Sequence, residues 1–537
     1  MTDVSDLTIC LRELDMRSRS RWLLILLLFV FSVFKLAAQD CPARPDGGTV
    51  VADPYSIESQ NGVLSAKFVI EHSVDKSGYT HYCYKYNASG QIVEAPTLRV
   101  NPGDQLNLEV VNKIKEGGSN TAAMAMPPSS QTTCGDGGAV TLESTNVHFH
   151  GLNVPPVCHE DDVINTLIQP GSPGFKYSMQ IPATEPPGLY WYHPHVHGFT
   201  EFQVNGGAAG AIVVEGMEKY RPEVAGLTER IFVIRQQYLV PWIPGPYQLT
   251  LNYQVASAVG LKPIIQMKPN EKQFWRVANA SIQDFLQLQF LVHDKPRPMQ
   301  IIALDGYPLA QTREQDTILV PPAGRAEFVV QAPAAGGSAA FFTTAYSTGP
   351  TGNADVSQTI ADVQVVDGGN DSQHMSRTTA NLSVSELKFS DLSHAQVTAK
   401  RKLFFSEEFG GTNGPIEFYI TVDGQKQKVF EPDEKPVITT KVGAVEDWTI
   451  ENRALETHAF HIHQIHFEVL EVDGKPATNN DLRDTIEIPY WDGKGPYHSV
   501  KVRMDFRDPT IAGTFLFHCH ILLHEDLGMM HKILVEP

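Results

Sequence analysis

Residues suited to copper chemistry lie close together in one stretch of this chain, between His518 and Met529. Three imidazoles, one thiol and one thioether fall within these twelve positions. Two histidines and one cysteine with a weak axial methionine describe an electron-transfer copper site. Cys519, His524 and Met529 have these residue types at five-residue steps. The stretch therefore predicts a copper site; the alternative is a buried cysteine with incidental histidines.

The residues around the cysteine predict how the side chains are arranged. In residues 515–521, which follow Gly513, apolar side chains are interspersed with histidines. This pattern is typical of a β-strand. Successive side chains of a strand point to opposite faces. His518 and His520 therefore share one face and Cys519 points to the other. A metal held by Cys519 and metals held by the two histidines would be joined through adjacent backbone.

Further histidine pairs occur elsewhere in the chain. Ten of the 20 histidines lie in four short clusters, in residues 148–150, 193–195, 458–463 and 518–524. In a strand, the two rings of a His-x-His pair lie on one face and can reach one metal or two neighbouring metals. One such pair is weak evidence. Four pairs, one of which encloses a cysteine, indicate a metal site with several ions.

The elements that must position these clusters are β-strands. Short β-rich runs alternate with Gly, Pro and Asn turns, which predicts an all-β chain of sandwich or barrel units with antiparallel strands. At roughly 150 residues per domain, 537 residues predict three or four units. We place β-rich blocks at 46–217, 228–367 and 400–537, with a polar linker at 368–399. The middle block has no close histidine pair and no cysteine, so we expect it to be structural.

Charge and the first residues indicate where the protein acts. The chain has 42 basic and 61 acidic residues, a net charge of −19, which argues against nucleic acid or an anionic membrane surface as a partner. Arginines precede an apolar core at 22–34, and small residues follow, so residues 1–38 read as a secretory signal. The core is shorter than the ~20 residues of a spanning helix. Because Leu36 is large for a cleavage site, an uncleaved anchor stays open, and Met16 is an alternative start.

The six cysteines divide into three groups. Cys10 precedes the signal core, and Cys519 is assigned to metal. The other four are an even number in an apparently exported chain, which predicts two disulfides in one of three pairings. These four are Cys41, Cys83, Cys134 and Cys158.

On its four histidine motifs the sequence resembles the multicopper oxidases, specifically the three-domain, laccase-like group. The resemblance covers nearly all of the presumed mature chain. It implies three consecutive cupredoxin-like Greek-key domains. It also implies four copper ions: a mononuclear type 1 copper in the third domain, and a trinuclear cluster of one type 2 and two type 3 coppers between the first and third.

The resemblance also implies which residues hold each copper ion. The type 1 ligands would be His458, Cys519 and His524, with Met529 axial, and the type 2 ligands would be His148 and His461. The type 3 pair would take His150, His193, His195, His463, His518 and His520. Laccases often carry Trp and Pro where this chain has Phe149 and Ala459, neither of which is a ligand. His159, His197 and His466 are expected to be non-ligands satisfied by hydrogen bonds or solvent.

In the mechanism that the resemblance implies, His524 is the electron entry, with its ring edge at the substrate surface. Electrons pass through the Cys519 sulfur to His518 and His520, and dioxygen is reduced to two water molecules. Protons are also consumed, so nearby carboxylates should act as relays. Glu525 and either Asp161 or Asp162 match acidic positions of the family, and we favour Asp161. The alternative for each is a solvated loop carboxylate.

The resulting prediction is a secreted or periplasmic multicopper oxidase with dioxygen as acceptor. The donor is a phenol, an aromatic amine, or a metal ion such as Cu(I), Fe(II) or Mn(II). Met529 at the axial position implies a lower potential than Leu or Phe would give, which favours easily oxidised phenols or metal ions. The alternative is copper binding or sequestration without turnover. A two-domain nitrite reductase is disfavoured, because a ligand-free block separates the two ligand-bearing blocks.

Overall fold

The computed structural model describes residues 41–74, 80–115, 134–238, 247–256, 260–367, 382–409 and 416–537. The predicted signal at 1–38, Cys10 and residues 368–381 of the predicted linker lie outside this range. The described strands form three sheet pairs, which we number first, second and third along the chain. The prediction of an all-β fold with three sandwich units is confirmed.

The first sheet pair has two five-stranded sheets, in the orders β1-β5-β12-β11-β8 and β10-β6-β2-β3-β4, and a small sheet of β7 and β9. In β2, every second residue from Leu64 to Ile70 is buried, as expected of a strand with one face on a core. The strands are β1 (Ser56–Glu58), β2 (Val63–Val74), β3 (Thr80–Ala88), β4 (Gln91–Glu94), β5 (Thr97–Val100), β6 (Gln105–Asn112), β7 (Cys134–Gly135), β8 (His148–His150), β9 (Thr166–Leu167), β10 (Phe175–Gln180), β11 (Gly188–His193) and β12 (Gly210–Val214).

The second sheet pair has the strand orders β15-β14-β13-β17-β23-β20-β21 and β16-β27-β24-β18-β19, with β22 on β18 and a small β25-β26 hairpin. Its strands are β13 (Thr228–Tyr238), β14 (Tyr247–Leu251), β15 (Gln254–Val255), β16 (Ile264–Met267), β17 (Lys272–Asn279), β18 (Leu286–Val292), β19 (Lys295–Arg297), β20 (Met299–Leu304), β21 (Tyr307–Gln315), β22 (Ile318–Val320), β23 (Arg325–Gln331), β24 (Ala339–Thr344), β25 (Tyr346–Ser347), β26 (Ala354–Asp355) and β27 (Gln358–Val365).

The third sheet pair has the orders β29-β28-β31-β37-β33-β34, with β35 on β33, and β30-β39-β38-β32-β36. Its strands are β28 (Ala399–Phe409), β29 (Ile416–Val422), β30 (Ile438–Lys441), β31 (Ala444–Asn452), β32 (His458–Ile462), β33 (Phe467–Val472), β34 (Lys475–Pro476), β35 (Leu482–Arg483), β36 (Thr485–Ile488), β37 (His498–Phe506), β38 (Gly513–Cys519) and β39 (Met530–Glu536).

Helices are short and few in the described residues. They are α1 (Thr200–Asn205), α2 (Met217–Tyr220) and α3 (Leu522–Asp526), with 3-10 turns at Pro222–Val224, Val384–Glu386, Leu392–His394 and Pro509–Ile511. In this part of the chain, none of the helices has the length and apolar character needed to cross a bilayer.

Two details of the strand pairing and connections differ from the simplest expectation. Some strand pairs are parallel, for example β2 with β6 and β5 with β12, because these strands are not joined by hairpins. The described part of the predicted linker is packed: Leu387, Phe389 and Leu392 are buried against Tyr307 and neighbouring side chains. The stretch therefore belongs to the contact between the second and third sheet pairs.

The two predicted disulfides are present, and they pair Cys41 with Cys83 and Cys134 with Cys158. Both lie in the first sheet pair or its flanking segments. Cys519 is the free cysteine among the described residues, and it is buried. Cysteine chemistry is thereby divided between structural bonds in one sheet pair and a single thiol in another.

Candidate metal centre

The first group of candidate ligands lies at one end of the third sheet pair. Strands β32 and β38 pair with Phe460 opposite Cys519, and α3 follows β38. Cys519 Sγ lies 3.5 Å from His458 Nδ1 and 3.8 Å from His524 Nδ1, and the two Nδ1 atoms are 3.3 Å apart. All three side chains are buried. Three donor atoms therefore converge on one point, as a metal ion requires.

The thiol of this group belongs to Cys519 and lies in an apolar core. Burial raises the pKa of Cys519 well above its ordinary value, whereas metal ligation requires the thiolate. A bound cation would supply the missing charge compensation. Met529 is buried in the same core; its amide donates to the His524 carbonyl at 2.8 Å, and its carbonyl accepts from the Cys519 amide at 3.0 Å.

The second group comprises eight histidines, four from the first sheet pair and four from the third. Their ligand atoms form three sets within 4.8 Å of one another: His148 with His150 and His461; His150 with His193 and His520; and His195 with His463 and His518. Strand registers produce this convergence, because His148 pairs with His193 across β8 and β11, and His461 pairs with His518 across β32 and β38.

The unsatisfied ring nitrogens of this cluster test whether it fits a metal. Buried polar atoms are almost always hydrogen-bonded, yet eight ring nitrogens have no partner among the described residues. They are Nε2 of His148, His193 and His461, Nδ1 of His463, and both nitrogens of His150 and His520. Such orphaned nitrogens are the atoms that metal ions would bind.

The opposite ring nitrogens are anchored in several of these residues. Nδ1 of His461 donates to the Asp484 carbonyl at 2.8 Å, Nδ1 of His193 to the Pro194 carbonyl at 2.8 Å, and Nδ1 of His518 to the Cys519 carbonyl at 3.0 Å. A ligating histidine usually donates its other N–H in this way, which fixes its tautomer. The residues present therefore fit a copper cluster.

Burial also sets the charge of these rings. It lowers the pKa of His150, His193, His461, His463 and His520 well below the ordinary value, with the neighbouring imidazoles lowering it further. It lowers the pKa of His195 to about 3. These six rings are therefore neutral near pH 7, which is the form that binds metal.

The predicted relay carboxylates are buried beside the cluster. Asp161 lies 3.0 Å from His148 Nδ1 and accepts from the Phe149 amide at 2.9 Å. Asp162 instead accepts from the amide and side chain of Asn165. The alternative of a solvated loop carboxylate does not hold for Asp161, because it is 1% exposed.

Glu525 is completely buried, so it is not a solvated loop carboxylate either. Its carboxylate lies 3.2 Å from His518 Nδ1 and 3.5 Å from His195 Nε2. His518 Nδ1 is the nearer of these two nitrogens, and, against the effect of burial, the interactions of the carboxylate with His195 and His518 lower the pKa of Glu525. Glu525 is therefore a buried carboxylate in the wall of the cluster.

The three extra histidines have different surroundings. His159 is exposed and bonds the Lys176 carbonyl at 2.8 Å, and buried His466 bonds the Asp305 carbonyl at 2.8 Å. Both fit the expectation of hydrogen-bonded non-ligands. His197 differs, since neither of its buried ring nitrogens has a partner in the described part of the chain.

Carboxylates that the sequence did not identify flank both histidines of the first group. Glu407 lies 3.4 Å from His458 Nε2, and Glu456 lies 3.6 Å from His524 Nε2. Burial and the charge of Glu407 raise the pKa of Glu456 to about 8. His524 is only 3% exposed, because Phe418 stacks on its ring at 4.1 Å and Glu456 faces its outer nitrogen. The ring edge expected at the surface therefore lies under these two side chains.

Comparisons with known proteins cover most of the chain. Three sequence models of known families, each described as multicopper oxidase, match residues 140–219, 233–368 and 410–537. A multicopper oxidase of Staphylococcus haemolyticus is 25% identical over 514 residues, which span 89% of this chain and 94% of that protein. A laccase of Haloferax volcanii is 25% identical over 422 residues, 74% of this chain and 68% of its own.

Among solved structures, a Campylobacter jejuni multicopper oxidase described as a metallo-oxidase is 23% identical. It has a TM-score of 0.66 and covers 92% of this chain and 96% of its own. This likeness confirms the three-domain cupredoxin-like fold. Taken with the three matched sequence regions and the two groups of metal-binding side chains, it leads to one conclusion: the chain belongs to the laccase-like multicopper oxidases, copper-dependent oxidases that use four copper ions.

Proposed function

We propose that twelve residues hold the four copper ions. His458, Cys519, His524 and Met529 would hold the type 1 ion, and His148 and His461 would hold the type 2 ion. The type 3 ions are held by His150, His193, His195, His463, His518 and His520. The observation that supports this proposal most strongly is the convergence of eight buried histidines, six of which have ring nitrogens without a hydrogen-bond partner among the described residues. Copper bound at these residues supplies one-electron oxidation of a donor and four-electron reduction of dioxygen to water.

The chain's own residues link and orient the two centres. Cys519 lies between His518 and His520, so the two centres share three consecutive residues of backbone. Asp161 accepts the His148 Nδ1 proton, which directs Nε2 into the cluster. The oxygens of Glu525, close to His518 and His195, are placed to hold and release protons at the cluster. Asp161 and Glu525 are therefore the proposed proton relays.

The side chains around His524 favour a positively charged electron donor as the substrate. Glu407 and Glu456 lie beside the two type 1 histidines, and no Lys or Arg forms an ion pair with either carboxyl in the described residues. Two neighbouring carboxyls without a compensating charge attract a cation. We therefore rank metal ions such as Cu(I), Fe(II) or Mn(II), and protonated aromatic amines, above neutral phenols. The Campylobacter jejuni structure described as a metallo-oxidase supports the same order.

The test is oxygen uptake by the copper-loaded protein with a panel of Cu(I), Fe(II), Mn(II), aromatic amines and phenols. Above pH 8, where Glu456 is ionised, Glu456→Gln should raise KM for the metal ions about tenfold, the effect of roughly 1.4 kcal/mol, and change KM for neutral phenols little. Glu408→Gln, which changes an exposed carboxylate next to Glu407 on β28, is the control and should leave KM unchanged. An equal effect of Glu456→Gln on all donors would contradict the proposed preference.

The same measurement separates oxidation from storage. A protein that retains copper but consumes no oxygen with any donor would be a sequestration protein. We also propose a secreted or periplasmic location, because disulfides persist in oxidising compartments and two are present. Cell fractionation with an antibody against the chain tests the location.

A further inference from the structure

One arginine of the second sheet pair, which contributes no proposed copper ligand, reaches the cluster. Arg325 begins β23 and is completely buried. All five of its side-chain N–H groups find acceptors. Nε donates to the Leu189 carbonyl, Nη1 donates to the Ala323 carbonyl, and Nη2 donates to the Asp305 carbonyl. The remaining two donate to the carboxylate of Asp484, at 2.7 and 2.6 Å.

Asp484 connects this arginine to the proposed copper ligands. Its Oδ1 lies 3.5 Å from His150 Nε2 and 3.7 Å from His461 Nδ1. Its backbone carbonyl accepts the His461 Nδ1 proton at 2.8 Å, and Oδ1 also accepts from the Thr485 hydroxyl at 2.8 Å. One residue therefore faces a proposed type 2 ligand and a proposed type 3 ligand.

The chain leaves no spare room around this pair. Gly151 directly follows His150 and has a φ of +88°, a conformation that favours glycine. A Cβ at this position would lie 2.5 Å from Arg325 Nη2 and 2.7 Å from Asp484 Oδ2. The Leu189 carbonyl, which accepts from Nε, belongs to β11, the strand that carries His193. The guanidinium thus contacts the first and third sheet pairs at the point where their histidines meet.

A planar guanidinium with two parallel bonds fixes a carboxylate in both position and orientation. We propose that Arg325 is a positioning residue for the trinuclear cluster. Through its paired bonds it holds Asp484 in the one placement that keeps His461 and His150 turned towards the shared metal site. The second sheet pair thereby contributes to the geometry of the copper cluster, although it supplies no proposed ligand. This inference rests on the proposed ligand set.

The molecule offers a matched control in Arg276, on β17 of the same sheet pair. Arg276 is as deeply buried and pairs with Glu327 and Glu229. Among the described residues, its ion pairs are with these two glutamates and not with a histidine. Loss of Arg276 therefore removes a buried ion pair of similar kind without touching a proposed ligand.

The experiment compares copper-loaded full chains carrying Arg325→Met, Arg325→Lys and Arg276→Met. Copper content, the visible absorption of the type 1 site, the electron paramagnetic resonance of type 2 copper and the melting temperature are measured. Supporting contacts around a metal are typically worth 10-fold to 100-fold in affinity. Arg325→Met should weaken type 2 copper binding by about that factor and change its resonance parameters, with type 1 absorption unaltered.

Arg325→Lys keeps the charge but not the paired bonds, so it should fold and still show altered type 2 resonance. Arg276→Met should lower the melting temperature and leave the type 2 resonance as in the wild type. The proposal is overturned if both Arg325 variants give the wild-type resonance and copper content, or if Arg276→Met gives the same spectral change. If the wild-type chain itself shows no type 2 signal after copper loading, the ligand assignment fails, independently of Arg325.

Discussion

The two candidate copper centres are built in different ways. The mononuclear group lies within one sheet pair, where Cys519 is 5 positions from His524 and 61 from His458. The trinuclear group joins two sheet pairs, and His195 and His518, whose Nε2 atoms are 3.4 Å apart, are 323 positions apart in the sequence. The mononuclear group is formed within the core of the third sheet pair, whereas the trinuclear group is formed at the interface between the first and third sheet pairs.

This difference predicts separable behaviour. The mononuclear group belongs to a core that also contains Trp448, Phe515 and Phe517, so its geometry follows from the folding of the third sheet pair. The cluster additionally needs the first sheet pair to be docked, with side chains such as Arg325 at the contact. A change at the interface should therefore disturb the cluster first, whereas a change in the third core should disturb the mononuclear site first.

The largest expected effect is at Cys519. Cys519→Ser removes the thiolate, so the visible absorption and the turnover with every donor should disappear. The type 2 resonance should remain, because the eight histidines are unchanged. Absorption and resonance spectra of the copper-loaded variant check this. Loss of both centres together would show that the mononuclear group is needed to form the cluster, and the proposed independence would be wrong.

Asp161→Asn should disturb the cluster and leave the mononuclear site intact, because it weakens the hydrogen bond that orients His148 through Nδ1. Turnover should fall 10-fold to 100-fold, the usual cost of losing a carboxylate that supports a metal-ligating histidine, while type 1 absorption stays normal. Steady-state kinetics and copper analysis measure this. Asp162→Asn is the matched control: its carboxylate contacts Asn165, so near wild-type turnover is expected. Equal losses in the two variants would remove Asp161 from its proposed role.

The smallest effect concerns stability near the contact of the first and second sheet pairs. Burial raises the pKa of Glu185 from 4.5 to about 7, against the opposing effects of Lys388 and Asn153. Between these values the unfolded chain releases the proton and the folded protein keeps it. Stability therefore falls by about 3 kcal/mol as pH rises from 4.5 to 7, and is constant above that range.

Glu185→Gln removes this titration. Relative to the wild type, the copper-free variant should gain stability on going from pH 5 to pH 7.5, as followed by calorimetric melting. The type 1 absorption of the copper-loaded form should not change, since the hydrogen bonds and charge interactions of Glu185 in the described residues involve no proposed type 1 ligand. Parallel melting curves for the two proteins across this pH range would exclude the proposed titration.

The sequence could predict the proposed ligands because they are carried in short motifs. Alternating burial in β2 and the His-x-His spacing are local patterns, and strand geometry converts them directly into shared faces. Cys519 and His518 point to different sides of β38 for the same reason: Cys519 lies in the third core, and His518 faces His195 and Glu525.

Residues that act across long sequence distances were missed. Arg325 and Asp484 are 159 positions apart, and neither belongs to a recognisable motif. Glu407 is one of two adjacent glutamates on β28, and only the fold brings it to His458. The choice between Asp161 and Asp162, and the pairing of the disulfides, likewise depended on side-chain direction and strand placement, which composition and spacing do not specify.

The separation of His195 and His518 has a consequence for biosynthesis. At about 5 to 20 residues per second, a ribosome needs roughly 15 to 65 seconds to add the 323 residues between them. During that time the first four histidines are present without their partners, and the nascent chain has no complete cluster to load. Full copper content therefore requires translation through Met529, and a product that ends before His518 is recognisable by its lack of both copper centres.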